Sequence, residues 1–404
     1  MTKKFSAAST IEGSKKWEFS MKRESEMYRK SDDIRNEFSR DYNRILHCNA
    51  YRRLKHKTQV FYGTRNDHIC TRIEHVHHVA AISTTIAQEL GLNTDLVSAI
   101  ALGHDIGHAP FGHEGEKILS KLSMDGGKPK FWHEQNSLIV ADKIETLSGL
   151  DGKRRNLNLT YAVRDGLVSH CGEVDENGLK PRDEAINLYD ILRPNQYAPY
   201  TWEACVVKIA DKIAYLGRDI EDALRLKILD NEQIDELRDT LMANFGSKIE
   251  KVNTTNLVHG FILDLVEHSA PETGLAFSDD YFQLMNNIKK FNYRHIYKHQ
   301  RLTYYNKYAN LILESLYEAL FDAYESLPGL PVLMRFYPQL AMNFRNWLVR
   351  YSDLDEVDKA QQDYEIPVVY RIGDKQDYSA AVLMYIALMT DYYALEQFDQ
   401  LVAF

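Results

Sequence analysis

The chain has 404 residues, room for two to four domains or one large domain with appendages at roughly 100–200 residues per domain. Its 20 Gly and 10 Pro make up about 7% of the residues against an average near 12%, which counts against a sandwich or barrel that turns every ten residues. The 44% hydrophobic content excludes a disordered chain, and the net charge of −9 is uneven: residues 1–65 carry an excess of cations and the remainder is acidic. An acidic body argues against broad duplex binding. The basic N-terminal part suits an anionic ligand such as a phosphate, or is a solvated arm.

In chain order, residues 1–37 read as a polar, basic N-terminal arm, ordered only where it docks. Helical periodicity begins near Asp41 and runs through RDYNRILHCNAYRRL. A connection, YGTRND, leads to a helix over Arg72–Leu90, where Val79, Ile82, Ile86 and Leu90 share a face and Gly91 supplies the stop. Thr94 is expected to cap a helix over 95–108, ended by Pro110. Further helices are expected near 113–123, 131–147 and 158–170, then a Pro-containing loop over 172–200 and a long amphipathic helix over 203–226. The last third reads mainly helical, interrupted by SLPGLP at 326–331, with a short strand around Val368–Ile372. The fold class is all-α: a helical core over 38–230 and a mainly helical C-terminal region over 231–404 that packs on it.

The longest apolar run, Ala380–Met389, is too short for a membrane span of roughly 18 residues and suits a buried core helix. The N-terminus holds no apolar stretch that could act as a signal peptide. Four dispersed cysteines without a C-x-x-C pair (Cys48, Cys70, Cys171, Cys205) count against a disulfide framework or zinc ribbon and point to a reducing cytoplasm.

Histidine carries the first specific signal, because eight of the 15 fall between His68 and His133. Imidazole is the commonest metal ligand and the side chain most readily poised for proton transfer near neutrality. On the expected helix 95–108, Leu96, Ile100 and His104 stack one turn apart, and Val97, Ala101 and Asp105 form the adjacent row. The His104–Asp105 pair therefore points with the apolar face, and His75 sits one turn before Val79 on the inward face of its own helix. A carboxylate turned inward is costly unless paired or metal-bound. Within 203–224, Ile209, Ile213, Leu216, Ile220 and Leu224 line one face, while Asp211, Tyr215, Asp219 and Asp222 line the opposite one. By pattern alone that second face reads as a solvated acidic surface.

An ordered set of motifs resembles the deoxynucleoside triphosphate triphosphohydrolases, the dGTPase-like branch of the HD-domain phosphohydrolases. It comprises FSRDYNRILHCNAYRRLKHKTQVF (38–61), TRIEHVHHV (71–79), LGHDIGHAPFGHEGE (102–116), FWHEQNS (131–137), LNLTYAVRDGLVSH (157–170), EACVVKIADKIAYLGRDIEDAL (203–224) and YIALMTDYYAL (385–395). The resemblance implies metal ligation by His75, His104, Asp105 and Asp211, with Mn²⁺, Fe²⁺, Co²⁺ or Mg²⁺ as the ion. It places His108, His113, Glu116 and His133 in the catalytic pocket. There His113 is the expected general acid toward the sugar O5′, His133 with Glu116 orients or deprotonates water, and His108 contacts phosphate. Arg72 and Lys212 align with phosphate contacts, and Gln59, Tyr215 and Asp219 with positions that hold the deoxyribose.

The activity so implied is metal-dependent hydrolysis of dNTPs at the α-phosphorus to deoxynucleoside and tripolyphosphate, by a cytoplasmic homo-oligomer (hexamer or tetramer) with no membrane association. Lys212, where many bacterial relatives carry Glu, and HEQNS point to broad dNTP use. His77 and His78 read as bystanders, and Tyr392 stands where the family usually has Arg. Two alternatives share parts of the pattern. One is an HD phosphohydrolase acting on a dNMP or (p)ppGpp; the other is a nucleotide- or single-stranded-nucleic-acid-binding protein, nucleic acid being a candidate secondary ligand of the basic N-terminal segment.

Overall fold

The computed structural model describes residues 3–27, 32–62, 66–170, 177–245, 253–326, 330–355 and 363–403. Cys171 and parts of the 172–200 and 326–331 segments lie outside the described residues. Among the described residues the regular structure is helical apart from one two-stranded hairpin, as the composition and periodicity require. Two interleaved units divide the chain: Met1–Asn43, Thr64–His104 and Leu159–Tyr304 form the first, and Arg44–Gly63, Asp105–Asn158 and Tyr305–Phe404 the second. Among the described residues no helix is long and apolar enough to cross a membrane.

In the first unit the helix Arg72–Leu90 matches its expected bounds. Thr71 and Glu74 form a reciprocal capping box at its start, and Gly91 takes the left-handed conformation (φ 85°) at its end, satisfying orphan backbone groups at both termini. The next helix starts at Thr94 and its N-cap is Asn93, whose side chain accepts the amides of Asp95 and Leu96. It ends at Gly103, short of the expected 108, so His104 stands at the C-cap and tight turns follow. The helix Trp202–Arg225 packs against both, and its apolar stripe, Ile209, Ile213, Leu216 and Ile220, is buried. Its acidic face is no solvated surface: Asp219 and Asp222 are buried too. Asp222 Oδ2 accepts the Cys70 amide at 2.9 Å.

The N-terminal segment docks on this unit. Phe5 is fully buried edge-on to Trp202, and its amide donates to the Leu90 carbonyl at 2.8 Å. The buried Glu203 carboxylate accepts the Thr10 amide and hydroxyl at 2.9 and 2.8 Å. Arg23 pairs with Asp41 and Glu37, and Arg40 with Asp33, so these cations answer internal carboxylates.

In the second unit the expected helix 131–147 divides into an α-helix His133–Ile139 and a π-turn Val140–Ile144. A strand Thr146–Ser148 follows and pairs antiparallel with Arg154–Asn156. The turn carries Asp151-Gly152, with Gly152 at φ 81°, a hairpin signal that outweighs the helical reading of the preceding residues. The strand expected at Val368–Ile372 is instead extended chain with a single parallel bridge, Ser352 to Tyr370. The apolar run 380–389 forms most of the helix Lys375–Ala387 and is buried from Ala381 to Met389, as its composition requires.

Candidate active site

Three of the expected metal ligands converge in the first unit. The capped helix 72–90 carries His75 inward, and the 202–225 helix presents Asp211, whose Oδ1 lies 2.8 Å from His75 Nε2 and 3.8 Å from His104 Nε2. His75 and His104 are buried and Asp211 is partly exposed. His104 Nδ1 is 2.7 Å from the Ala101 carbonyl oxygen. A carbonyl can only accept, so Nδ1 carries the proton and Nε2 presents its lone pair on the Asp211 side. One ligand atom from each of the three residues lies within 4.8 Å of the others. Two neutral imidazoles and a carboxylate at this spacing fit a divalent transition ion. His170 sits edge-on to His104, ring centroids 5.1 Å apart. It falls inside a recognised motif, yet sequence reasoning gave it no role.

The same unit holds most of the expected substrate contacts. Arg72, Lys212 and Asp219 are buried and Tyr215 is partly so. Asp219 Oδ2 accepts from the Tyr297 hydroxyl at 2.5 Å, a partner 78 residues away in sequence. Burial pushes the Asp219 carboxyl up to about 7 against the opposing hydrogen bond from Tyr297 and the charge of His75. The Tyr297 hydroxyl is raised well above its ordinary value by burial and by neighbouring Asp219 and Tyr215. His77, by contrast, is exposed on the helix that carries His75.

In the second unit the signature after His104 gathers the expected proton-transfer residues. His133 Nδ1 lies 3.0 Å from Glu116 Oε2, and the His133 amide donates to Glu116 Oε1 at 3.2 Å. His113 Nδ1 is 3.4 Å from the same Oε2, with its ring exposed. His108 stacks on His133 at 4.2 Å, and Asp105 Oδ1 is 3.8 Å from His133 Nε2. Burial opposes a charge on His133, but the carboxylates of Glu134, Glu116 and Asp105 overcome it and hold the imidazole up at about 10. Glu116 is held far below its ordinary value: burial works against this, and the charge of His133 and hydrogen bonds from both histidines prevail. Glu134, which sequence reasoning left without a role, is pushed up to about 7 by burial, opposed by His133.

Close backbone approach fixes this cluster. A Cβ on Gly107 would lie 2.1 Å from the Ser137 amide nitrogen, and one on Gly115 would lie 1.8 Å from the Pro110 carbonyl oxygen. The Gly107 amide donates to Ser137 Oγ at 2.9 Å and its carbonyl accepts from Asn136 Nδ2 at 2.7 Å, locking the turn to the His133 helix. Gln59 lies in the segment after Lys57, whose ammonium donates to the His108 and Ala387 carbonyls. The Gln59 Oε1 is buried with no hydrogen-bond partner among the described residues. The C-terminal motif acts through Asp391 rather than the exposed Tyr392: Asp391 accepts the Phe111 amide at 2.8 Å and the Thr58 amide at 2.9 Å.

A helical fold with a His–Asp dyad at a helix end, a distant His and a distant Asp defines the HD-domain phosphohydrolases, and the HD domain family matches residues 72–216. A phosphohydrolase-associated domain matches residues 275–332. A deoxyguanosinetriphosphate triphosphohydrolase-like protein of Caldanaerobacter subterraneus subsp. tengcongensis is 36% identical over 296 residues, covering 73% of this chain and 75% of the relative. A like-named protein of Clostridium tetani is 37% identical over 273 residues, covering 66% and 68%. One from Rickettsia bellii is 28% identical over 394 residues, covering 91% and 92%. The chain belongs to the deoxynucleoside triphosphate triphosphohydrolase family of HD-domain hydrolases.

Proposed function

We propose that the protein hydrolyses deoxynucleoside triphosphates at the α-phosphorus, releasing deoxynucleoside and tripolyphosphate, with broad use of the four bases. The observation that carries this reading is the convergence of His75, His104 and Asp211, with the His104 tautomer fixed, in a chain of this family. These three residues, with Asp105 as the fourth on the strength of the sequence resemblance, would hold Mn²⁺, Fe²⁺, Co²⁺ or Mg²⁺. A bound divalent ion supplies positive charge to a phosphate oxygen and lowers the pKa of water.

The remaining steps belong to the side chains. Arg72 and Lys212 neutralise phosphate charge. His133, kept protonated by its carboxylate neighbours, orients water together with Glu116, while His108 contacts phosphate. The exposed His113, hydrogen-bonded to Glu116, donates a proton to the leaving O5′. Gln59 and Tyr215 hold the sugar. Tyr297 occupies one oxygen of Asp219, and the other accepts from the 3′-hydroxyl. The protein works as a cytoplasmic homo-oligomer. The test is turnover by the Mn²⁺-loaded protein of all four dNTPs, the NTPs, a dNMP and (p)ppGpp, without nucleic acid. Release of deoxynucleoside from dNTPs is expected; turnover confined to the dNMP or to (p)ppGpp, or none at all, overturns the reading.

A further inference from the structure

The proton-transfer cluster of the second unit has a property that its assigned chemistry does not use: it is built like a transition-metal site. His113 and Glu116 lie three residues apart on the helix Gly112–Asp125, so both project from one face. His133 opens the neighbouring helix, and its amide donates to Glu116 Oε1 at 3.2 Å, which fixes that carboxylate. The other oxygen, Glu116 Oε2, then lies 3.0 Å from His133 Nδ1 and 3.4 Å from His113 Nδ1. One ligand atom from each of these residues and from His108 lies within 4.8 Å of the others. All four belong to the second unit, and none is part of the His75–His104–Asp211 centre.

The spacing decides what kind of ion fits. A tetrahedral ion with bonds of about 2.0–2.1 Å to imidazole nitrogen and carboxylate oxygen needs neighbouring ligand atoms about 3.3–3.4 Å apart. The two contacts of Glu116 Oε2 bracket that value, so the ion enters with small shifts of side chains alone. Two nitrogens to one oxygen suit Zn²⁺ and Co²⁺; Mg²⁺ and Ca²⁺ prefer oxygen ligands in larger number. His108 stacks on His133 with ring centroids 4.2 Å apart and planes 27° apart, so its nitrogens run beside those of His133 rather than converge with them. The fourth position is left to water or a phosphate oxygen.

We propose that His113, Glu116 and His133 form a second metal site, selective for Zn²⁺ over Mg²⁺ and Ca²⁺, which stops catalysis when filled. The ion takes the Nδ1 lone pair of each imidazole, and any proton on those nitrogens passes to water. An imidazole bound to metal through Nδ1 keeps only a neutral Nε2–H, which is no acid near neutrality. His113 then has no proton to give to the leaving O5′, and His133 cannot act as an imidazolium. Binding stands on the geometry alone; the inhibition rests on the proton-transfer roles in the dNTP hydrolysis proposed above.

Full-length protein carrying Asp211→Ala, which disables the first centre, isolates the second. Titrated with Co²⁺ in excess Mg²⁺, it should bind one ion per chain with the intense visible absorption of four-coordinate Co²⁺, and Zn²⁺ should displace it. Adding His113→Ala or Glu116→Gln to Asp211→Ala should weaken binding at least about tenfold, since even groups that only orient a ligand cost that much. An unchanged melting temperature relative to Asp211→Ala separates a lost ligand from a lost fold. Wild-type protein loaded with Mn²⁺ should take up one Zn²⁺, keep its Mn²⁺ in elemental analysis and lose dNTP turnover. Absence of Co²⁺ and Zn²⁺ binding to Asp211→Ala at sub-millimolar concentration overturns the proposal, as does binding that survives both added substitutions. Zn²⁺ uptake matched by Mn²⁺ loss, or Zn²⁺ uptake without loss of turnover, overturns it too. Zn²⁺ binding that depends on His113 in a protein that hydrolyses no dNTP supports the site and counts against the hydrolysis reading instead.

Discussion

Asp391→Ala removes a carboxylate that receives two backbone amides, Phe111 N at 2.8 Å and Thr58 N at 2.9 Å. A hydrogen bond to a charged acceptor contributes roughly 1.5–3 kcal/mol, so the two together hold about 3–6 kcal/mol. Burial raises the Asp391 carboxyl above its ordinary pKa, which shows that the charge itself is poorly solvated and offsets part of that gain. The net local loss is therefore taken as about 3 kcal/mol, at the lower end. Phe111 adds to the sensitivity: its φ of 61° places a bulky residue in the left-handed region, a conformation that its surroundings must enforce. The assay is amide hydrogen exchange on peptides containing Thr58 and Phe111. At 1.4 kcal/mol per factor of ten, exchange there should accelerate roughly a hundredfold. Asp391→Asn, which keeps one acceptor oxygen, should give about half that effect on a logarithmic scale. Metal should still be retained by His75, His104 and Asp211, which belong to the other unit from Asp391 and from Asp105, the proposed fourth ligand, while kcat/KM should fall because the freed segments carry Gln59 and His113. Unchanged exchange at both amides in Asp391→Ala would refute the reasoning.

Three further outcomes are expected. His104→Ala or Asp211→Ala should lose metal in elemental analysis and lose turnover while keeping the far-ultraviolet circular dichroism of the wild type; full metal content in both removes the site as assigned. Glu116→Gln deletes a negative charge that favours the imidazolium, so the His133 pKa should fall from about 10 toward the ordinary histidine range; imidazole proton shifts followed against pH check the sign, and an unchanged or raised value contradicts it. Asp219→Ala should mainly raise KM for dNTPs with kcat less affected, because it removes sugar binding common to ground and transition states; a variant with normal KM that fails to load metal would make Asp219 a ligand instead.

The helix 72–90 was legible because its signals are local: apolar spacing, a Thr71–Glu74 box and a Gly stop all lie within twenty-one residues of one another. Periodicity also gave the right faces for His75 and His104. It could not say what covers a polar face. Asp219 and Asp222 looked solvated, yet Tyr297 and the Cys70 amide reach them from 78 and 152 residues away. The role of Asp391 was hidden for the same reason, since its amide partners lie 280 and 333 residues distant. The hairpin 146–156 was a different kind of miss: its Asp-Gly turn is a local signal present in the sequence, but the helix expected over 131–147 runs into the first strand. The roles of the proton-transfer residues came from resemblance alone, because spacing does not reveal that one carboxylate, Glu116, would meet both His113 and His133.

The most direct test of the account is hydrolysis of a dNTP by the metal-loaded protein in ¹⁸O-labelled water, with the products separated and weighed by mass spectrometry. Attack at the α-phosphorus places one labelled oxygen in intact tripolyphosphate and none in the deoxynucleoside. Orthophosphate or pyrophosphate as the initial product, or label in the deoxynucleoside, would contradict it.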